Sequence, residues 1–436
     1  MWGGRSERGA RAPGWERARV IRLRTYENGL LLMLSMTNAV VLFDRFSVNY
    51  LAPFIVEEFK LSNAQFGMLS SAVSLAVAPA GLILARVAEK SGQRKRMLIV
   101  CLIAFSLLSA SAAFATSFLF LLVVRFLLGV PDAPIPPVAQ SVIAVESSEH
   151  RRGLNMAIMQ KFSSAIIGIG VGAIVFTQIA EAFGWRAAML FSCVPGLALA
   201  LCVALFMRPV REGAKITSAI ADHERVGTTG ILSLLRSRNV LLCVLICGLY
   251  SAWIFVLNAF MPLYLVRVRG MDAGSMGMIV SATGFAQAIA GIAIAATSDR
   301  IGRKMCMALM LFLSAAAPLS VLFVHGSPVV LGLCLFVAFM GAGATPLISV
   351  VAAESVSEKF VASVIALCIA AGEIFGGIIA PTAAGHAADV FGMSAPFWIC
   401  ATIAVTCGCL ALLLKETSPR RATPVPPAGQ AAATTA

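Results

Sequence analysis

The chain has 436 residues, of which 59% are hydrophobic and 13% charged, and its formal net charge is +13. Soluble domains carry roughly 25% charged residues, so a water-soluble globule is excluded and the apolar surplus must face lipid. The expected fold class is an all-α membrane protein.

A helix needs roughly 20 apolar residues to cross the hydrocarbon. In chain order the predicted spans are 28–55, 62–86, 95–116, 117–146, 153–180, 184–207, 239–266, 273–297, 304–325, 328–352, 358–386 and 393–415. Several exceed the minimum, which implies tilt or kinks. None shows the apolar/polar alternation of a membrane barrel. A tight turn at Thr116–Ser117 divides spans three and four. Residues 1–27 are Arg-rich and lack an apolar core, so they read as a cytoplasmic tail without a cleavable signal. Residues 416–436, rich in Pro, Ala and Thr, read as a disordered tail. One long polar connection, 208–238, divides the spans into six-helix bundles at 28–207 and 239–415.

The positions of the charges exclude a nucleic-acid partner. Of 34 Lys and Arg residues, 27 lie in the two tails, the even-numbered connections and the adjoining span ends. Four lie on the opposite side: Lys60, Arg186, Arg267 and Arg269. This asymmetry is the positive-inside signal. It places both termini in the cytoplasm of a multi-pass inner-membrane protein. The eleven Cys are scattered singly through the spans, with no metal-ligand spacing and no disulfide framework. His150, His223, His325 and His386 are scattered too, so no metal site, cofactor site or enzyme nucleophile is expected.

The two halves echo each other. After span two comes Ala85-Arg-Val-Ala-Glu89-Lys90-Ser-Gly92-Gln-Arg94-Lys95. After span eight comes Ala295-Ala-Thr-Ser-Asp299-Arg300-Ile-Gly302-Arg303-Lys304. Pro53 and Pro262 recur near the ends of spans one and seven. Such a repeat implies two pseudo-symmetric bundles about an axis along the membrane normal. The repeated acid-base-x-Gly-basic segment resembles the cytoplasmic signature of the major facilitator superfamily, over residues 28–415. The first copy departs from it with Glu89 and Gln93, and both copies carry Ala where Gly is usual. Acid and Arg side chains there suit a latch between the halves on the cytoplasmic side. A plain basic loop obeying topology is the competing reading.

Charges at mid-bilayer are costly and functional by default. Six occur: Asp44 and Arg45 in span one, Arg125 and Asp132 in span four, Lys161 in span five and Glu373 in span eleven. Asp44 and Arg45 are adjacent, so they point about 100° apart and need partners elsewhere. Arg125 and Asp132, seven residues apart, share one face about 10 Å apart. By the superfamily resemblance, helices one and four line the central cavity. Asp44 can then pair with Arg125 or Arg45, and Asp132 with Arg45 or Lys161. Either pair also fits a purely structural lock, Lys161 can snorkel to the surface, and Glu373 suits a gate or packing contact as well as a substrate contact.

The constellation Asp44-Arg45 with Arg125-Phe-Leu-Leu-Gly129-Val-Pro-Asp132, and Gly184-Trp185-Arg186, resembles the anion:cation symporter family. Asp132 stands where that family often has Glu. The resemblance implies Asp44 and Asp132 as proton carriers and Arg45 and Arg125 as coupling or anion-binding groups. An arriving anion competes with an acid for its cation, which links anion and proton binding. Asn49, Tyr50, Gln160, Tyr250, Trp253, Asn258 and Gln287 are further candidates to complete the pocket, with Asn38 and Thr345 behind them. Tyr250 and Trp253 share a helix face, which core packing also explains. Gly129–Pro137 and Gly341–Pro346 are expected to bend their helices.

The expected function is proton-coupled uptake of a small organic anion, such as an aromatic or sugar-derived carboxylate, by a monomer in the bilayer. A proton-antiporting exporter of drugs or metabolites competes. Exporters of hydrophobic cations should place acids, not Arg, at the centre. A non-transporting sensor is disfavoured because the connection 208–238 is too short for a signalling domain.

Overall fold

A computed structural model describes residues 14–148, 150–209, 234–357 and 360–417, and among these there are helices and no strands. Eleven stretches are long and apolar enough to cross a membrane. The helix Asn63–Ser91 supplies the twelfth pass. The N-terminal residues 1–13, most of the connection 208–238 and residues 418–436 lie outside the described residues.

Local chemistry sets the ends of the passes. Ser62 and Gln65 form a reciprocal capping box that starts pass two. The side chains of Ser117 and Asp272 accept from backbone amides three residues on, starting passes four and eight. The Ser275 amide bonds hold the Asp272 carboxyl below its usual range. Gly92 ends pass two with φ 64°, and Gly302 ends pass eight with φ 102°. Both conformations suit glycine because it has no Cβ.

Pass one departs from expectation at both ends. Its helix already runs at Gly14, the first described residue, rather than starting near Asn28. The Arg and Glu residues there are good helix formers and extend it beyond the apolar run. It is also not continuous to residue 55. The helix Gly14–Arg45 stops, and short helices Ser47–Tyr50 and Ala52–Glu58 follow. The amide of Asn49 bonds to the carbonyl of Phe46 at 2.9 Å, so the last turn is tight. Pro53 has no amide to donate, and the break at Leu51 precedes it.

The internal repeat extends to irregularities. Pass five contains a π-helical segment at Ser164–Val171, and pass eleven contains one at Gly372–Ile379. Start maps onto start and end onto end in one register, 164 onto 372 and 171 onto 379. Pass four breaks between Asp132 and Ile135, and pass ten narrows to a 3-10 turn at Met340–Gly343. These are the bends expected near Pro131 and Gly341.

The halves meet at mid-membrane and at the face opposite the termini. One apolar core joins them there, through contacts such as Phe46–Phe255 and Phe66–Phe260. On the termini side the first half has a separate core of its own, around Leu30, Leu98, Val142 and Met207. Two symmetry-related latches close the opposite face. Asp389 of pass eleven accepts from the amides of Asn63 and Ala64 of pass two, both at 2.9 Å. Glu181 of pass five accepts from the amide of Gly274 of pass eight at 2.7 Å. Each carboxylate caps a helix N-terminus in the other half, where unpaired amides and the helix dipole favour negative charge. The register that aligns the π-helical segments also aligns Glu181 with Asp389. The approach is close because a Cβ on Gly67 would strike the Pro381 carbonyl, and one on Gly277 would strike Thr177.

Removing one such cap costs about 1 kcal/mol, roughly fivefold in the equilibrium between closed and open faces. Asp389→Ala should therefore speed alkylation of Ser71→Cys, at the same seam, by a water-soluble maleimide in a cysteine-free background. Equal rates with and without Asp389 would contradict the latch.

Candidate transport site

The break in pass one explains the geometry at its end. Because the Asn49 amide bonds to Phe46, the Arg45 carbonyl is left without its usual helical donor. Arg125 of pass four fills that place. Its Nη2 donates to the Arg45 carbonyl at 2.6 Å, and its Nη1 donates to the Asp44 carbonyl at 3.4 Å. The guanidinium therefore caps a helix end with its fork.

The neighbouring side chains diverge as their adjacency requires. Asp44 is buried and points to passes three and six. Its Oδ1 accepts from Ser109 Oγ, which lies 2.5 Å from Ser192 Oγ. Arg45 points to the second half. Its Nη2 donates to Ser74 Oγ at 2.5 Å and to Glu373 Oε2 of pass eleven at 2.7 Å. Its guanidinium carbon lies 5.3 Å from the centre of the Phe255 ring, a cation–π contact. The Arg45 and Glu373 side chains are 12% and 24% exposed, so the pair is only partly buried.

Asp132 ends the first part of pass four and is buried. Its Oδ2 has no hydrogen-bond partner among the described residues. It lies within electrostatic reach of Arg45, Glu373, Asp44 and Arg125. The structure thus gathers five of the six expected charges, Glu373 coming from the other half. Of the pairings the sequence left open, those of Asp44 and Asp132 with Arg45 or Arg125 are not formed among the described residues, and Arg45 is bridged to Glu373 instead. The Lys161 side chain lies outside the described residues.

The uncharged candidates mostly bond to neighbouring side chains or backbone. Asn49 accepts from Ser70 Oγ at 2.9 Å and is buried. Tyr50 is buried and donates to the Gly168 carbonyl at 3.4 Å. Asn38 donates to the Met159 carbonyl and to Ser164 Oγ, where pass five turns π-helical. The side chain of Gln160 is half-buried, and its carbonyl lies 3.5 Å from Asn38 Nδ2. Tyr250 and Trp253 stack at 5.2 Å, fully buried in the second half, with Tyr250 Oη 2.7 Å from Ser314 Oγ. Asn258 is buried and donates to its own helix at Ile254. Thr345 likewise donates to Ala342 of its own pass. Half-buried Gln287 has no partner for its Nε2 among the described residues. Close packing of the second bundle places Tyr250, Trp253 and Asn258 in its core, so none of the three lines the space beside Arg45.

The repeated loop motif binds within each half. Arg303 bridges to Glu354 at 2.7 Å, and the amides of Arg303 and Lys304 donate to Glu416. Lys95 donates to the carbonyls of Ala204 and Met207 at 2.8 and 2.6 Å. Arg94 is half-buried at the start of pass three, and Arg300 is exposed. The side chains of Glu89, Lys90 and Asp299 lie outside the described residues. The latch between halves expected here turns on Glu89 and Asp299, so it falls outside the described side chains. Arg186 binds Glu58 at 2.6 Å, and Trp185 donates to the same carboxylate at 2.5 Å. The Arg186 hydrogen bond, aided by Trp185, holds Glu58 below the usual carboxylate range.

With the repeat and its charges in place, comparison with known proteins gives the family. The Major Facilitator Superfamily model matches residues 34–277 and 254–435. The chain belongs to the major facilitator superfamily. The hexuronate transporter of Bacillus subtilis (strain 168) is 24% identical over 255 residues, 57% of this chain and 59% of that protein. The gallate transporter of Pseudomonas putida is 31% identical over 171 residues, 38% of this chain and 37% of that one. The chain therefore matches under two thirds of the length of either relative. A bacterial homolog of the human lysosomal transporter Spinster, inward-facing and unoccupied, superposes with a TM-score of 0.70 at 17% identity. It covers 89% of this chain and 95% of that one, which shows a shared fold.

Ser74, Ser109, Ser192 and Phe255 are site residues that the sequence did not single out. Uncharged residues of these types occur throughout the spans, so only their three-dimensional neighbours distinguish them. The Arg125 cap has a direct consequence. Arg125→Ala leaves a buried carbonyl unpaired, at about 1–3 kcal/mol, and should lower the melting temperature of the purified protein. Arg125→Lys, with one point donor instead of a fork, should fall between. A melting temperature unchanged in both would contradict the cap.

Proposed function

We propose that this superfamily member takes up a small organic anion together with protons, by alternating access, in an inner membrane with both termini in the cytoplasm. The observation that carries this reading is Arg45. It is a permanent cation at mid-membrane, paired across the halves and partly exposed, and its planar fork matches a carboxylate. A hexuronate is a sugar acid and gallate an aromatic acid, so the two named relatives support a carboxylate cargo. The distribution of Lys and Arg supports the orientation.

In this reading the anion binds Arg45 in the space between the halves. Asp132 exchanges a proton with water beside it, while Asp44, tied to Ser109 and Ser192, is the deeper proton site. Arg125 holds the broken end of pass one, so the Arg45 guanidinium stays at a fixed depth. The latches at Glu181 and Asp389 open when the termini side closes. A cation at the seam also argues against export of hydrophobic cations, which would need acids there.

The test is uptake into proteoliposomes with the outside more acidic, using D-glucuronate and gallate. At least one should accumulate above its equilibrium concentration. Asp132→Asn should lower that gradient-driven accumulation, and Arg45→Ala should abolish saturable uptake. Failure of both anions to accumulate, or accumulation untouched by Asp132→Asn, would refute the reading.

A further inference from the structure

The Arg45–Glu373 pair crosses the seam between the halves, and it has no counterpart within the repeat. In the register of the repeat Glu373 corresponds to Ala165, so the equivalent place in the first half is apolar. Glu373 sits in the π-helical segment Gly372–Ile379, whose glycines bring pass eleven against its neighbours. A Cβ on Gly376 would strike Ser251, and one on Gly377 would strike Ser74 and Glu373 itself. Arg45 Nη2 bonds both this carboxylate and Ser74.

We infer that Glu373 is a proton carrier: an anion's carboxylate takes its place on Arg45, and a proton from water then neutralises Glu373. The inference rests on the organic-anion reading above and adds a coupling site in the second half. The logic is one of compensated charge. An ionised group at mid-membrane is costly without a partner. The empty carrier satisfies this, because Arg45 and Glu373 neutralise each other. With anion alone, Arg45 is satisfied but Glu373 carries an unpaired negative charge. With proton alone, Glu373 is neutral but Arg45 is unpaired. With both bound, every charge is again compensated. Only the first and last states can occlude and exchange faces, which is the rule for obligatory symport. On release the anion departs, the proton returns from the carboxyl to water, and the ion pair re-forms.

The charged and titratable neighbours are consistent with this assignment. Arg45 contacts Glu373 from pass one, and Asp132 of pass four is within electrostatic reach. Pass two presents Ser74, and pass seven presents Ser251, Phe255 and the thiol of Cys247. The thiol of Cys368 lies one turn earlier on pass eleven. His386 and Asp389 are on the same pass, more than three turns away.

The test is the pH dependence of anion binding by the full-length protein in detergent, with D-glucuronate and gallate as probes. Each proton taken up with the anion strengthens binding about tenfold per unit fall in pH, over the range where it binds. The slope of log Kd against pH should be smaller by about one in Glu373→Gln than in the wild type. Glu373→Ala, also without the carboxyl, should give the same reduced slope and serves if the glutamine variant is unstable. An unchanged slope overturns the inference, as does loss of probe binding in both variants, which would make Glu373 part of the anion's own binding site. If the wild type binds neither probe, the organic-anion reading fails and this inference fails with it.

Discussion

A permanent positive charge in the middle of a bilayer must be compensated, and the centre of this protein is built around that requirement. Arg45 cannot lose its proton, so it must hold an acid, a dipole or a ligand. Glu373, Ser74 and the Phe255 ring provide these. Arg125 is compensated differently, by the carbonyls that the break in pass one exposes. The break and the second arginine therefore belong together. An unbroken helix would leave Arg125 without its acceptors, and without Arg125 the freed carbonyl would be buried unpaired.

The two halves share a frame but not a chemistry. One nearly constant register relates the π-helical segments, the terminal carboxylates, the close-packed glycines and the loop motifs. These repeated features serve movement, since they set where passes cross and which face is latched. The charges are not repeated. The alignment that carries Pro53 onto Pro262 carries Asp44 onto Trp253, which is stacked in the core of the second half. The first half therefore holds most of the ionic machinery. The second contributes Glu373, the acid that reaches Arg45. Symmetry supplies a switch with two equivalent ends, and its violation at the centre gives the switch something to sense.

The twelve passes, the repeat and the loop charge asymmetry were legible because they follow from composition and periodicity alone. So were the buried charges, since six ionisable residues in otherwise apolar spans stand out. Their partners were not legible. Arg45 and Glu373 lie in different halves, far apart in the chain, and no local pattern links them. Two adjacent residues known to diverge on a helix still have many possible neighbours, so Asp44 was matched to arginines rather than to Ser109. Tyr250 and Trp253 share a helix face that suits either a pocket or a core, and in the structure that face packs inward against Phe339 and Ser314. The latches were missed because Glu181 and Asp389 lie at span ends, where an acid is unremarkable by sequence. What they bind is backbone, which carries no signature.

Coupling through the central pair requires that anion and proton act together on the shape of the molecule. Spin labels at Lys60→Cys and Met393→Cys, on loops of different halves at the latched face, report its opening by double electron–electron resonance. With no anion at high pH, and with D-glucuronate or gallate at low pH, both the closed and the open distances should be populated. With the anion at high pH, where Glu373 would be left charged and unpaired, the distribution should collapse to the closed distance. An open population of equal size with the anion at high pH would contradict charge compensation as the coupling principle.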